Sequence, residues 1–334
     1  MDLERGTVRM LADLAGLPDS AGGVLTSGGS MANLLALATA RTWFLTRRGS
    51  ADGPADDREH ARLTLYYSAQ AHMSVAKAAA RVGVPAHRLR PVATDPHDRL
   101  DPAALHAAVT ADLDAGPLPF CTVTTLGTTA TGAVDPLEPV TDLCRSTGMW
   151  HHADDAYGGL GASVPVGCGA LLVPDPAHLH PAFAHQASHL TAGEPGALPR
   201  LSHATIELTR PGTRALALWT TPHHLGRDGV TGLIEHHLAL ADELRERITA
   251  EPRLQLPADG PWPVACFRIT DPYGNAPDAL HTRTVLRTAL GGRLPHPGRL
   301  GRRWCPAKSY PANSPRGEAR WTRWKLIGSP LSER

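Results

Sequence analysis

Short apolar runs bounded by turn residues alternate with helical stretches as far as residue 250, and no other pattern in the chain restricts its fold more. The runs 63–68 ("LTLYYS"), 120–125 ("FCTVTT"), 149–154 and 169–173 ("GALLV") have the length and setting of buried strands. Residues 31–48, 72–82 and 230–250 read as helices between or after them. Pro211 stands where a helix opening "PGTRALALW" places its first residue. Strands spaced by helices predict an α/β chain with a mostly parallel sheet, because parallel neighbours need long crossovers that cover both sheet faces. Residues 51–59 ("ADGPADDRE") are polar and broken by Gly and Pro, which predicts a surface loop.

Beyond residue 250 the texture changes. "VACFRI" (264–269) suits a strand of a small C-terminal domain, whereas 291–334 is crowded with Arg, Pro, Gly and Trp and shows no period, as a disordered tail does. The reading therefore divides the chain into a large domain, 1–250, and the remnant of a small one, 251–334. With 334 residues, 42% of them hydrophobic, the chain can bury a substantial core. Thirty-three basic residues balance 32 acidic ones, so nothing in the charge calls for nucleic acid or a membrane surface, and a small or protein ligand is expected. Five scattered cysteines without a C-x-x-C pair argue against a disulfide framework or a zinc ribbon and suit a reducing cytoplasm. No apolar run reaches the roughly 18 residues of a membrane span.

Four motifs carry chemistry. In "TSGGSMANLLALATAR" (26–41), Gly28 and Gly29 permit close backbone approach, Ser30 suits an N-cap, and a helix follows, so free N–H groups and a positive dipole end are offered to an anion. A capped helix after a glycine turn has the same appearance. In "YYSAQAHMSVAKAA" (66–79), His72 falls between a strand's carboxyl end and a helix, where ligands of open α/β sheets collect and a flat ring can be stacked. "TTLGTTATGAVDPL" (124–137) sets hydroxyls and glycines after another strand, starting at Thr125. "WHHADDAYGG" (150–159) delivers Asp154 to the same edge, either as the partner of a cation such as a protonated pyridine nitrogen or as a turn cap. The histidine pairs 151/152, 223/224 and 236/237 are read as packed or solvated residues, because adjacent side chains diverge.

In this order and at these spacings the motifs resemble those of the group II decarboxylases that use pyridoxal phosphate (PLP), the family acting on aromatic amino acids, glutamate and diaminobutyrate. The resemblance covers residues 24–159, resumes at "PVGCGALLVPDPAHLHPAFAH" and continues through "ELTRPGTRALALWTTPHHLG". It implies the aspartate-aminotransferase-like fold of PLP fold type I, a small amino acid substrate released as an amine and carbon dioxide, and, in relatives, a homodimer. It also implies roles: Gly29 and Ser30 on the phosphate, His72 stacked on the ring, Thr125 at the ring, Asp154 on its nitrogen, and Ala156 as the small residue on the other face.

The chain departs from the pattern between residues 159 and 167. Relatives carry there a helix and a strand ending in His-Lys-Trp, whose lysine forms the Schiff base with PLP. Here only the seven residues 160–166 ("LGASVPV") bridge the two motifs, with no lysine. Lys77, Lys308 and Lys325 are poor substitutes, the first because its helix leads away from His72. Seven residues reach about 23 Å, enough to turn at the sheet edge past one lost strand position of about 10 Å, at a cost in packing and unpaired backbone groups unless the strands on either side move together. Met31 and Asp155 also differ from the types relatives usually carry. Two expectations follow: a PLP-dependent carboxy-lyase without covalent attachment of its cofactor, or a catalytically inactive relative, either a decayed copy or a regulatory partner.

Overall fold

The computed structural model describes residues 2–49, 57–158, 168–183, 205–206, 213–258, 260–269 and 284–287. The bridge 160–166, the tail 291–334, Pro211, Lys308 and Lys325 lie outside the described residues, as do 51–56 of the expected loop; 57–60 form a short helix.

The chain runs α1 (Asp2–Leu14), β1 (Gly22–Thr26), α2 (Gly29–Arg48), α3 (Asp57–His60), β2 (Leu63–Ser68), α4 (Ser74–Arg81), β3 (Leu89–Val92), α5 (Pro102–Ala115), β4 (Leu118–Thr125), α6 (Leu137–Thr147) and β5 (Trp150–Asp154). After the bridge come β6 (Gly169–Val173), α7 (His180–Phe183), α8 (Thr213–Ala250), β7 (Leu254–Ala258), β8 (Val264–Ile269) and β9 (Thr284–Arg287). Local chemistry explains several boundaries. Asp101 caps α5 by accepting from the N–H groups of Ala103 and Ala104, Pro102 opens the helix, and Gly116 closes it at φ 97°.

The predicted alternation of strands and helices is present, but the sheet is divided. β3, β2, β4 and β5 form a parallel sheet in that order, while β1 and β6 pair antiparallel as a separate two-stranded sheet, from Gly22 opposite Val173 to Thr26 opposite Gly169. The mostly parallel sheet is thus present as four strands, and 169–173 stands apart from it, antiparallel to β1. Among the described residues no backbone pairing joins β5 to β6. Both sheets nevertheless lie under one helix, since α2 packs on β1, β6, β5 and β4.

Side chains hold the division together. Trp150, on β5, packs against the cluster of Leu63, Phe120 and Val123 and also against that of Val24, Leu171 and Val173. Its ring meets Trp43 edge-on at 5.4 Å and His178 at 5.8 Å. The expected remedy for a lost strand, closing the neighbours onto each other, is replaced by aromatic packing, which is worth about 0.5–1.5 kcal/mol per pair beyond area burial. All eight residues of β4 are buried, which marks it as the centre of the parallel sheet.

α8 is longer than the expected 230–250 because two helices run together across Gly226, whose φ of 68° and ψ of 178° break the helical path. "VACFRI" is β8, central in an antiparallel sheet ordered β7-β8-β9. Arg245 on α8 fastens this sheet by donating to the carbonyls of Gly260, Trp262 and Val264.

Candidate active site at the carboxyl ends of β4 and β5

The parallel register sets Thr125 of β4 beside Asp154 of β5, and the Leu126 N–H donates to the Asp154 carbonyl at 2.9 Å. Asp135 fixes this corner. Its carboxylate accepts from the N–H groups of Thr125 and Leu100, each at 2.7 Å, and its own N–H donates to the Thr125 carbonyl. Burial pushes the Asp135 carboxyl above the usual range, against those two donors. The Thr125 hydroxyl is buried without a partner among the described residues, an orphan suited to a ligand.

Asn33, one turn into α2, is the hub of a buried network. Its Nδ2 donates to Asp154 Oδ2 at 2.8 Å and to Ser74 Oγ at 2.9 Å, and its Oδ1 accepts from His152 Nε2 at 2.8 Å. Ser74, the first residue of α4, meets His72 Nδ1 at 2.7 Å through its hydroxyl and at 3.2 Å through its N–H. His72 and Asp154, expected to share a ligand, are therefore joined through two intermediate side chains. His72 is exposed, on the turn between β2 and α4.

The start of α2 completes the site with one correction. Gly28, not Ser30, is the N-cap; Ser30 is inside the first turn and exposed. Gly28 takes φ 152°, which a side chain at that position would strain, and so the turn ends one residue pair earlier than an N-cap serine would place it. The N–H groups of Gly29 and Ser30 fall in the first turn, without intrahelical acceptors. A methyl added at Gly29 would come within 2.8 Å of the Ala156 Cβ, so the helix start abuts the end of β5. Asp154 also acts as the turn cap that was the alternative reading, through Oδ1 and the Ala156 N–H at 3.2 Å.

Electrostatics divide the neighbouring groups. Burial pushes His152 down while Asp154 opposes it. Burial and the Asp154 charge push Asp155 well up. His151, on the opposite face, bonds the hydroxyls of Thr124 and Thr141 through its two nitrogens and is pushed down to about 4 by burial and then by His152. It is a packed residue, as expected. No group of three or more metal-ligating side chains occurs among the described residues. A cavity of about 310 Å³ lies elsewhere, between His97, Arg99 and Thr131 on one side and Ala258, Gly260 and Pro261 on the other.

Sequence reading brought out His72, Thr125, Asp154, Gly29, Ser30 and Ala156, all of which fall at this edge. It passed over Asn33, Ser74 and Asp135, and read His152 only as a packed or solvated residue. Asn33 left a signal, a poor helix former inside an apolar helical run, where a buried amide must have partners.

The profile described as "Pyridoxal-dependent decarboxylase conserved domain" matches residues 1–163 and 161–270 of this chain. The match breaks in two, and the break falls inside the bridge. An aromatic-L-amino-acid decarboxylase of Bacillus atrophaeus is 40% identical over 156 residues, 47% of this chain and 30% of the relative. An L-2,4-diaminobutyrate decarboxylase of Rhizobium meliloti is 30% identical over 316, 86% of this chain and 61% of the relative. The crystal structure of Oryza sativa TDC with PLP and tryptamine superposes with a TM-score of 0.74 at 26% identity, covering 80% of this chain and 61% of that one. The fold is that of the α/β enzymes of PLP fold type I. The chain belongs to the pyridoxal-dependent decarboxylase family, and it spans 30% to 61% of the length of the relatives just described.

Proposed function

We propose that this chain binds PLP at the edge formed by β4, β5 and the start of α2, and that its reaction is the decarboxylation of a small amino acid to an amine. The observation that carries the reading is the Asn33-centred network, which ties His72 to Asp154 from separate segments of chain beside a glycine-opened helix start. The residues present suit the cofactor: a carboxylate for a ring nitrogen, first-turn N–H groups for a phosphate, and an orphaned Thr125 hydroxyl. When bound, PLP supplies an electron sink for the pair left behind by departing carbon dioxide. Asp154 would hold a proton on the ring nitrogen, with Asn33 fixing its orientation. His72 and Ala156 would enclose the ring from its two faces, and Gly29 and Ser30 would receive the phosphate.

The large domain 1–250 carries these roles and 251–334 the remnant of the small domain. A homodimer and a cytoplasmic setting belong to the same reading. No helix among the described residues is long and apolar enough to cross a membrane.

Titrating the protein with PLP and following visible absorbance tests the binding: saturable uptake is expected, and at least about tenfold weaker uptake in Asp154→Ala. Equal uptake by both proteins would refute the assignment. Carbon dioxide release from a panel of aromatic and diamino acids tests the reaction.

A second reading is favoured by one observation, the loss of the tether. Lys77 is the one lysine among the described residues, and its Nζ lies on Met73 Sδ at 3.5 Å on an exposed face of α4. On this reading the chain is a non-catalytic relative. Borohydride reduction followed by peptide mass mapping separates the two readings from an ordinary enzyme: no lysine-linked PLP is expected, and a labelled lysine would overturn the claim that covalent attachment is lost.

A further inference from the structure

The hydrogen bonds between His72 and Asp154 have only one consistent direction. A carboxylate accepts and cannot donate, so the Asn33 atom 2.8 Å from Asp154 Oδ2 is the amide nitrogen, and Oδ1 faces His152. Oδ1 can only accept, so His152 is protonated on Nε2. The second hydrogen of Asn33 Nδ2 goes to Ser74 Oγ at 2.9 Å, which leaves the serine hydroxyl hydrogen free to point at His72 Nδ1, 2.7 Å away. An independent contact requires the same arrangement. The Ser74 backbone N–H, which can only donate, also meets His72 Nδ1, at 3.2 Å.

We propose that Asn33 and Ser74 are positioning residues that lock His72 as the neutral tautomer protonated at Nε2, with the Asp154 charge setting the direction of the relay. Nδ1 receives two donors and has no room for its own proton. His72 therefore presents a hydrogen-bond donor at Nε2 and does not act there as a proton acceptor. Among the described residues, the charged and titratable groups coupled to the relay are Asp154, His152 and Asp155 from β5 and the residue just after it, while the hydrogen bonds from α2 and α4 come from the Asn33 amide and from Ser74. The inference rests on the proposed function for its use in catalysis, but the tautomer itself is readable in cofactor-free protein.

The experiment is long-range proton–nitrogen NMR on the 15N-labelled full chain without cofactor, with the His72 signals identified by their loss in His72→Gln. Wild type is expected to show Nδ1 in the unprotonated range and Nε2 in the protonated one. Ser74→Ala removes one of the two donors, and the tautomer ratio is expected to move about fivefold toward protonated Nδ1. Ser74→Thr, which keeps the hydroxyl, is expected to restore it. A protonated Nδ1 in wild type, or an unchanged ratio in Ser74→Ala, would overturn the proposal. If Ser74→Ala does not fold, the wild-type assignment alone decides. PLP titration of the same samples keeps the two ideas apart: a locked tautomer with no PLP uptake sinks the cofactor site and leaves the relay standing.

Discussion

Asp135→Ala removes the side chain that holds the corner between β4 and the turn after it. Asp135 is 1% exposed, and its two acceptor bonds reach the N–H groups of Leu100 and Thr125, which are 1% and 4% exposed. The substitution strands two buried donors at about 1–3 kcal/mol each, offset in part because a carboxylate no longer has to be kept out of water. The net loss is about 3 kcal/mol, or about 6–12 °C in Tm for a cooperative unit of 150–250 residues. Urea denaturation followed by tryptophan fluorescence measures it. The midpoint falls while the slope is kept, and Asp135→Asn, which retains one acceptor, falls about half as far. The pH dependence has a definite sign. Burial raises the Asp135 carboxyl, so the folded state holds the proton at a higher pH than the unfolded chain does, and this residue adds stability as pH falls from neutral toward about 4. That gain disappears in the alanine variant. A loss of less than about 0.5 kcal/mol would show that water replaces the carboxylate at no cost and would refute the clamp.

Three further outcomes are expected. Tyr66→Phe deletes a 2.7 Å bond to Asp112 Oδ2 and costs about 1 kcal/mol by urea denaturation; Arg90 keeps its two bonds to the same carboxylate. Arg90 first, and Tyr66 with it, hold the Asp112 carboxyl below its usual range. Its stabilising contribution is thus present at neutral pH and lost as pH falls below about 3.9, and in Tyr66→Phe, whose folded-state carboxyl lies closer to the unfolded value, an acid titration shows a smaller total loss that is complete at a higher pH. Phe120→Ala, at a residue wholly enclosed between α2 and the parallel sheet, costs about 3–5 kcal/mol in the same assay, and a cost below about 2 would mean the core collapses around the hole. His151 stays neutral in the folded protein down to about pH 4, so stability declines between about pH 6.5 and 4 as the unfolded chain takes up the proton; an imidazole signal titrating near 6.5 in the native state would contradict its enclosure.

Much of this molecule can be read from its residues in order. Strands β2, β4, β5 and β6 lie where apolar runs and turn residues put them, because a buried strand needs little besides a short continuous apolar stretch. The resemblance located His72, Asp154 and Ala156 through short motifs whose spacing is local, and the missing lysine segment is a gap in the letters themselves. Boundaries were less legible. Ser30 has the chemistry of an N-cap, but Gly28 takes that position because φ 152° at residue 28 suits only glycine.

The sequence by itself determined the family, the alternation of helix and strand, and the absence of lysine from residues 160–166, and it pointed to the strand edge where the candidate site is built. Only the tertiary structure decided that the sheet divides between β5 and β6, with Trp150, Trp43 and His178 packed across the division. It likewise decided that Asn33 and Asp135 organise the site, from 121 residues before Asp154 and 10 after Thr125 respectively. The physical reason is that strand pairing and a buried amide's choice of partners depend on which atoms meet at 2.7–3.2 Å after folding, and periodicity along a chain carries no record of such meetings.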